Sequence, residues 1–191
     1  MILIFTGNGK GKTTAALGQA VRAIGNGKKV LMIQFIKGPF KSGEDYFAEK
    51  FSRGSTSGSL EVEPREKDLQ IMKTGRGFVG ILGDKLPFSE HKKAAQKGLE
   101  LATKAINPPV GGEKYDLIIL DEINNAVDLK LVKAVDVLKI IKGVSEKTDI
   151  ILTGRNAPKS FIKIADIVTE MKEVKHIFNK NKHSMKKGIE Y

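Results

Sequence analysis

The chain has 191 residues, which is enough for one domain with a sizeable buried core. It contains no cysteine, which excludes disulfides, thiolate metal sites and cysteine nucleophiles and fits a reducing cytoplasm. Its formal net charge of +11 favours binding of nucleic acid, of an anionic substrate or of an acidic electron-transfer partner. Only 6% of the residues are aromatic, so few side chains are available to stack on nucleic-acid bases.

The first predicted element is a strand over Met1–Phe5, which runs into the glycine-rich segment GNGKGKTTAALG over Gly7–Gly18. The opening residues lack a charged leader, so they are interpreted as a strand and not as a signal peptide. In such a segment the backbone N–H groups converge on an anion, and the following helix adds the positive end of its dipole. The match to GxxxxGK[ST] is irregular, because Thr6 stands where the first glycine is expected.

This segment predicts a phosphate-binding loop for a nucleoside triphosphate. Lys12 supplies a mobile cation for phosphate oxygens, and the hydroxyl of Thr13 is a candidate magnesium ligand. The residues predicted to contact the nucleotide are Gly7, Asn8, Gly9, Lys10, Gly11, Lys12, Thr13 and Thr14.

Apolar runs alternate with helical stretches along the rest of the chain. The predicted strands are Met1–Phe5, Val30–Phe35, Asp116–Leu120 and Asp149–Leu152. The predicted helices are Lys12–Gly25, Ser89–Ile106, Leu129–Ile141 and Pro158–Ile164. This order predicts an α/β fold of the P-loop NTPase type, RecA-like, with an open, mostly parallel sheet and helices on both faces. Ligands of such a sheet bind at the carboxyl ends of the strands.

Two segments rich in glycine or serine interrupt this pattern. The first, FSRGSTSGSL over Phe51–Leu60, is interpreted as a flexible surface loop. The second, TGRGFVGILGDKLP over Thr74–Pro87, carries apolar residues among its glycines. It either forms the wall of a binding site or folds onto the core.

Two predicted strands end in residues that suit a polyphosphate. The segment LIILDE ends in Asp121 and Glu122, which are candidates to hold magnesium directly or through water. The segment IILTGR ends in Arg155, whose guanidinium could bind a phosphate in a bidentate manner. Because both strands are predicted to end at the edge that carries the phosphate loop, a ligand role is favoured over surface charges.

The remaining polar features point to no further site. The three histidines, His91, His176 and His183, have no metal-ligand spacing and are interpreted as non-ligands. The basic stretch Lys172–Lys187 is interpreted as solvated, whereas the apolar and aromatic end of the tail, GIEY, is a candidate for docking onto the molecule. We expect a single domain over residues 1–191 with a basic C-terminal tail over 172–191.

Five blocks of the sequence together resemble the ATP:corrinoid adenosyltransferases. They are GNGKGKTTAALG at 7–18, QFIKG at 34–38, LDEIN at 120–124, TGR at 153–155, and VKHIF with KKGIEY at the end of the chain. A generic P-loop ATPase would share the first and third blocks, whereas the second and last are specific. The resemblance covers nearly the whole chain.

The resemblance implies transfer of the 5′-deoxyadenosyl group from ATP to a reduced cobalt corrinoid, with release of triphosphate. Lys12, Arg155 and magnesium would neutralise the leaving group, while Thr13, Asp121 and Glu122 would hold the metal. Catalytic roles then fall to Lys12, Glu122 and Arg155. The resemblance also implies a homodimer and a flavoprotein electron donor. No apolar run approaches the roughly 20 residues needed to cross a membrane, so we expect no membrane association and a cytoplasmic location.

The sequence departs from the family pattern in a loop that the family places beside the corrin. The family run is similar to GxGFTW, and here it is GRGFVG over Gly75–Gly80. Phe78 takes the phenylalanine position and is a predicted corrinoid contact, but Gly80 stands where tryptophan is expected. Family members also commonly carry a segment before the first strand. Its absence ahead of Met1 leaves closure of the site to a partner subunit or to the tail.

Two other functions remain open at this point. The positive charge is compatible with a RecA-like ATPase that binds nucleic acid, which would show ATPase activity stimulated by DNA or RNA. A small-molecule P-loop kinase is the other alternative, and it would release ADP instead of triphosphate.

Overall fold

The computed structural model describes residues 1–52, 68–81, 83–176 and 186–189. The strands within these ranges are β1 (Ile2–Thr6), β2 (Val30–Gln34), β3 (Leu69–Lys73), β4 (Leu117–Asp121), β5 (Asp149–Thr153) and β6 (Ile167–Glu170). The helices within them are α1 (Lys12–Gly25), α2 (Gly43–Ser52), α3 (Phe88–Ile106), α4 (Ile123–Asp128), α5 (Ala134–Lys142) and α6 (Lys159–Ile162).

The six strands form one parallel sheet in the order β3-β2-β4-β5-β1-β6. The register places Phe5 of β1 beside Thr153 of β5, and Gln34 of β2 beside Asp121 of β4. Because all the strands run in one direction, the segments that follow them meet at one edge of the sheet. The predicted α/β fold with a parallel sheet is confirmed.

Each face of the sheet packs against helices, as predicted. Successive strand residues point to opposite faces, so Ile118 and Leu120 join a core with α3, α4 and α5, whereas Leu117 and Ile119 join a core with α1 and α2. Burial on both faces explains why the central strands are almost continuously apolar. The sheet therefore fixes its carboxyl edge as a rigid platform for the segments that follow the strands.

The predicted central strands and the helices α1 and α3 are confirmed to within one or two residues, but two strands and two helices were not predicted. The missed strands, β3 and β6, lie at the two edges of the sheet. All four β6 residues are exposed and β3 is only partly buried, so neither strand has the apolar run that marks a central strand. The missed helices are α2 and the six-residue α4.

A local signal for α2 was present in the sequence. Asp45 accepts hydrogen bonds from the Ser42 backbone N–H at 2.7 Å and from the Ser42 hydroxyl at 2.8 Å. Ser42 and Asp45 are three residues apart, which is the spacing of a capping box at a helix start. The segment 53–60 of the predicted flexible loop lies outside the described residues, while its first two residues end α2.

The predicted helix over Leu129–Ile141 is wrong in its first part. The structure ends α4 at Asp128 and begins α5 at Ala134, with Lys130 at a φ of 60° between them. Leu131 and Val132 are buried in this turn, so their apolar character reflects core packing and not helical spacing. The last predicted helix is also shorter than expected, since α6 covers only Lys159–Ile162.

Candidate active site

The predicted phosphate-binding loop connects β1 to α1 and turns at two glycines. Gly7 and Gly11 have φ angles of 94° and 114°, in the left-handed region that glycine adopts without strain. The ammonium group of Lys12 is buried and donates hydrogen bonds to the carbonyl oxygens of Gly7 at 2.8 Å and Gly9 at 2.7 Å. Burial lowers the pKa of Lys12, and the nearby charge of Arg155 acts in the same direction.

The loop is also packed against the segment that follows β6. The Gly9 backbone N–H donates to the Met171 carbonyl oxygen at 2.6 Å, and the Met171 N–H donates to the Thr6 carbonyl oxygen at 2.8 Å. A Cβ atom at Gly7 or Gly9 would lie 2.5 or 2.8 Å from that same Met171 oxygen. These two glycines are therefore required by close backbone contact with an edge strand that the sequence did not reveal.

Asp121, at the end of β4, is fully buried and accepts hydrogen bonds from three different elements. Its Oδ1 accepts from the Thr13 hydroxyl at 2.8 Å and from the Thr153 hydroxyl at 2.7 Å. Its Oδ2 accepts from the Gln34 side-chain amide at 3.2 Å. Asp121 therefore fixes the orientation of Thr13, and the structure brings together these two residues, both of which were predicted as magnesium ligands.

Glu122 adopts an unusual backbone conformation and directs a buried carboxyl group to the site. Its φ is 63°, in a region that costs a non-glycine residue free energy, and its N–H donates to the Thr153 hydroxyl at 2.9 Å. The buried Oε2 has no hydrogen-bond partner among the described residues. Burial raises the pKa of Glu122 to about 7, and the adjacent Asp121 acts in the same direction.

The oxygen atoms of Glu122 and Thr13 fit as ligands of a magnesium ion that also binds a polyphosphate. Magnesium is bound in such sites by one or two protein oxygens, with the remaining positions filled by phosphate oxygens and water. The unpartnered Glu122 oxygen and the Thr13 hydroxyl, which donates its proton to Asp121 and keeps its lone pairs, supply two such ligands. No cluster of three or more acids and histidines occurs among the described residues, so a metal cage made by protein alone is not formed there.

Arg155 follows β5, and its backbone is fixed at the same edge of the sheet. Its N–H donates to the Asn125 side-chain oxygen, and a Cβ atom at the preceding Gly154 would lie 2.6 Å from that oxygen. Arg155 is exposed, and its charge influences the pKa values of Lys12 and Glu122. Arg155 therefore lies at the edge of the sheet that also carries the phosphate loop and the acids of β4.

A cavity of about 690 Å³ opens beside the phosphate loop, between α1 and α2. Six predicted site residues line it, namely Lys10, Gly11, Lys12, Thr13, Thr14 and Glu122. The lining residues that were not predicted as site residues include Leu17, Val21, Lys37, Glu44, Phe47 and Ile189. The cavity thus combines the cationic loop with an apolar wall of the kind that holds the organic part of a nucleotide.

The C-terminal tail contributes to this cavity, as the apolar end of the sequence indicated. Gly188 and Ile189 line it, and the Ile189 carbonyl oxygen accepts a hydrogen bond from the Lys10 ammonium at 2.6 Å. Residues 177–185 and 190–191 of the tail lie outside the described residues. The described part of the tip therefore docks beside the phosphate loop.

Sequence analysis missed a group of polar residues, Gln34, Lys37 and Glu44, of which Lys37 and Glu44 line the cavity. Gln34, which is fully buried at the end of β2, donates to Glu44 Oε1 and to Asp121 Oδ2, both at 3.2 Å. Lys37 forms an ion pair with the same Glu44 oxygen. A glutamine at the carboxyl end of an apolar strand was the available signal, because a buried amide needs polar partners.

Phe78 is not part of the cavity lining. It is half exposed, in the loop that follows β3, and that loop is pressed against the segment after β2. The Gly77 N–H donates to the Ile36 carbonyl oxygen at 3.0 Å, and a Cβ atom at Gly75 would lie 2.2 Å from the same oxygen. The loop is therefore held at the carboxyl edge of the sheet, at the side formed by β3, whereas β1 and the phosphate loop lie towards the opposite side.

One of the histidines has a structural role in that loop. His91 of α3 is buried, with its Nε2 2.9 Å from Asp84 Oδ2. Asp84 also accepts hydrogen bonds from the backbone N–H groups of Gly80 at 2.8 Å and Leu86 at 3.0 Å. These contacts fasten the loop to α3. His183 lies outside the described residues.

The parallel sheet, the glycine loop with its buried lysine and the acids at the end of β4 define a P-loop nucleotide-binding protein. Of the helices that the structure describes, none has the length and apolarity to cross a membrane. The fold and the loop do not by themselves identify the second substrate.

Comparison with known proteins identifies it. The family model for ATP:corrinoid adenosyltransferases of the BtuR/CobO/CobP type matches residues 1–191. The corrinoid adenosyltransferase of Pseudomonas aeruginosa is 35% identical over 191 residues, which cover 100% of this chain and 83% of the relative. Those of Escherichia coli K12 and Salmonella typhimurium are 31% and 29% identical, covering 94% and 100% of this chain and 80% and 85% of the relatives.

The chain therefore belongs to the ATP:corrinoid adenosyltransferase family, which has a P-loop-type fold and catalyses ATP-dependent adenosylation of corrinoids. The resemblance inferred from the five sequence blocks is confirmed, and the protein is a transferase that uses ATP and a corrinoid. The nucleic-acid and kinase alternatives are not supported.

Proposed function

We propose that the residues at this carboxyl edge carry out the transfer as a displacement at C5′ of ATP. The cob(I) centre of the corrinoid substrate donates its electron pair to C5′, the C5′–O bond breaks, and that bonding pair leaves with inorganic triphosphate. Cobalt is formally oxidised to Co(III) as the cobalt–carbon bond forms. The single observation that carries the proposal is the buried Lys12 ammonium in a glycine loop beside the Asp121 and Glu122 carboxyls.

The protein would act mainly on the leaving triphosphate. Lys12 would exchange its hydrogen bonds to Gly7 and Gly9 for phosphate oxygens, and the loop N–H groups would hold further oxygens. Arg155, at the end of β5, would neutralise charge that develops as the C5′–O bond breaks. Fixed donors of this kind stabilise the transition state without reorganisation during the reaction.

We further propose that Thr13 and Glu122 hold a magnesium ion and that Asp121 orients Thr13. When bound, magnesium would spread the negative charge of the triphosphate and lower the barrier to its departure. Glu122 would bind as the carboxylate, although its pKa of about 7 means that it is partly protonated at neutral pH without a cation. The buried oxygen that has no partner among the described residues supports this assignment.

The loop over Gly75–Gly80 is our proposed corrinoid contact, with Phe78 against the macrocycle. β3 and β1 are four strand positions apart in the sheet, so their carboxyl ends are separated by about 19 Å. Phe78 is half exposed at that edge and therefore has the free surface that a large planar substrate needs. Gly80, in the position of the family tryptophan, leaves Phe78 as the aromatic residue of this run.

The Phe78 assignment predicts a difference between two oxidation states of the substrate. Phe78→Ala should reduce turnover of cob(II) supplied with a reductant more than turnover of chemically pre-reduced cob(I), because the side chain would help to remove a lower ligand from cobalt. Anaerobic assays of both forms measure this. Equal losses in the two assays would contradict a role in ligand displacement.

Three features of the working enzyme are also proposals. A homodimer and a flavoprotein electron donor follow from the family resemblance, and the absence of cysteine suits a cytoplasmic enzyme. A single adenosyltransferase domain over residues 1–191 is supported by the one sheet that joins β1 to β6. Sedimentation of the purified protein measures the oligomeric state directly.

The decisive experiment is an anaerobic assay with chemically reduced cobalamin, ATP and magnesium. We expect loss of the cob(I) absorbance together with an equimolar amount of inorganic triphosphate, and no transfer by Lys12→Ala with its fold intact. Steady release of ADP while cob(I) persists would overturn the proposal. A fully active Lys12→Ala variant would remove the role assigned to that residue.

A further inference from the structure

A charged pair at the cavity remains outside the mechanism described so far. Lys37 lies three residues beyond the end of β2, and Glu44 lies in the first turn of α2. Both line the same cavity as Lys12 and Glu122. They bring one cation and one anion to the wall of a site whose proposed ligand is a polyphosphate.

The pair is close and partly buried. The Lys37 ammonium contacts Glu44 Oε1, and the side chains are 34% and 11% exposed, respectively. Burial alone would raise the pKa of Glu44, but the hydrogen bond and charge of Lys37 outweigh it and lower the pKa to about 2. Glu44 is therefore a fixed negative charge at neutral pH.

The position of the pair is tied to the acids of the site. Glu44 Oε1 accepts a hydrogen bond from the Gln34 amide at 3.2 Å, and the same amide donates to Asp121 at 3.2 Å. Lys37 also lines the same cavity as Lys12 and Glu122, so it lies at the wall of the space that a ligand held by those two residues would occupy.

We propose that Lys37 is a second polyphosphate-binding cation of this enzyme, and that Glu44 is the counter-ion it leaves when the triphosphate chain binds. The lysine ammonium sits on a flexible stem and can change partners without backbone movement. Glu44 then remains as an anion beside the bound polyphosphate and opposes its binding. This inference rests on the proposed function, because it assigns these residues to the triphosphate part of ATP.

The proposal predicts opposite effects for the two members of the pair. Lys37→Ala removes a charge-assisted contact and should weaken binding of inorganic triphosphate by about 10-fold or more. Glu44→Gln keeps an acceptor for Gln34 but removes the opposing charge, so binding should stay equal or become tighter. A pair that served only to hold α2 in place would lose affinity in both variants.

The chain offers a matched control in a second ion pair between the segment before α2 and α2 itself. Lys41 and Glu49 form an ion pair of the same type, with side chains 53% and 47% exposed. Neither residue lines the cavity. Lys41→Ala should therefore leave the affinity for triphosphate within about two-fold, since a screened surface pair contributes little.

The test is calorimetric titration of inorganic triphosphate with magnesium into the full chain and its variants. Supporting results are weaker binding by Lys37→Ala, retained affinity in Lys37→Arg and no loss in Glu44→Gln. Affinity that is unchanged in Lys37→Ala, or lost equally in Lys37→Ala and Glu44→Gln, would overturn the proposal. Should Lys37→Ala not fold, Lys37→Gln is compared with Lys37→Arg under the same criteria.

The titration separates this inference from the proposed function, because it contains no corrinoid. Wild-type protein that binds triphosphate through Lys37 but does not adenosylate cob(I) would overturn the proposed function alone. Protein that adenosylates cob(I) with triphosphate affinity independent of Lys37 would overturn this inference alone.

Discussion

At the residue scale, the site is organised by one buried carboxylate. Asp121 is bonded by Thr13, Thr153 and Gln34, which come from three different elements. Charge-assisted hydrogen bonds of this kind offset the desolvation of a buried carboxylate. A change at one of the donors should therefore affect both the stability of the sheet edge and the geometry of the proposed magnesium ligand.

Thr153→Val tests this network with little change in side-chain shape. The substitution removes the hydroxyl that donates to Asp121 and accepts from the Glu122 N–H; Asp121 keeps the Thr13 donor, but the Glu122 N–H loses this partner, so the cost should be about 1–3 kcal/mol. We expect lower stability in urea denaturation and weaker binding of triphosphate with magnesium. Thr148→Val is the control, because that hydroxyl donates to the Tyr115 carbonyl oxygen at 3.0 Å and Thr148 does not line the cavity. Loss of triphosphate binding in both variants would contradict a specific role for Thr153.

The ion pair of Glu44 predicts a defined pH dependence of stability. The pKa of Glu44 falls from 4.5 to about 2 on folding, so its contribution is present above pH 4.5 and is lost as the pH falls towards 2. The free energy of unfolding of the wild type should exceed that of Glu44→Gln by up to about 3 kcal/mol near neutral pH, and the two values should converge in acid. Urea denaturation of both proteins between pH 2.5 and 7 measures the difference. A difference that does not change over this range would be inconsistent with the ion pair.

At the scale of elements, the loops of the carboxyl edge are held by close backbone contacts. The phosphate loop packs on the segment after β6, and the loop after β3 packs on the segment after β2. These contacts require glycine because a side chain would overlap backbone atoms of the neighbouring segment. Each loop therefore depends on an edge strand for its position.

Gly75→Ala tests the packing of the loop that carries Phe78. The added Cβ would lie 2.2 Å from the Ile36 carbonyl carbon, so the loop must move and corrinoid affinity should fall at least about ten-fold if Phe78 is a contact. The same Cβ would lie 2.6 Å from the Lys37 carbonyl oxygen, so triphosphate affinity is measured in parallel, and the loss of corrinoid affinity should exceed any loss of triphosphate affinity. Gly25→Ala at the end of α1 is the matched control, because its Cβ meets nothing within 4 Å. Unchanged corrinoid affinity in Gly75→Ala would argue against the assigned site.

At the scale of the whole molecule, ligand binding and folding are linked through the single sheet. The phosphate loop follows β1, the acids lie at the end of β4 and Lys37 follows β2, so in the proposed binding mode a polyphosphate would contact segments from several strands. A ligand that binds only the native state stabilises it by an amount set by its concentration and dissociation constant. The net positive charge of the chain, +11, adds a general electrostatic attraction for an anionic ligand.

Thermal unfolding should therefore report triphosphate binding. At a free triphosphate concentration about 100 times its dissociation constant, triphosphate with magnesium should increase the free energy of unfolding by about 2.7 kcal/mol and raise the Tm by about 5–10 °C. Lys12→Ala should abolish the shift, and removal of magnesium with EDTA should reduce it. Differential scanning fluorimetry measures both effects. A shift that persists in Lys12→Ala would place the triphosphate elsewhere on the molecule.

The sequence by itself determined the fold class, the central strands, the glycine loop before α1 and the acids at the end of β4. The first helix was predicted over Lys12–Gly25, and the structure shows the same bounds. Asp121 and Glu122 lie at the end of a buried strand, as expected. These features are encoded locally, because apolar runs, helical spacing and a glycine-rich turn leave their pattern in neighbouring residues. The family blocks were recognisable for the same reason.

Only the tertiary structure decided which distant residues share the site. It joined Lys37 and Glu44 to Asp121 through Gln34, packed the glycines of the phosphate loop on Met171, and placed Phe78 outside the cavity. The order of strands in the sheet sets these neighbours, and that order depends on contacts between segments far apart in the chain. Edge strands such as β3 and β6 also lack the apolar run of a central strand, so their pairing and everything that rests on it appeared only in the folded molecule.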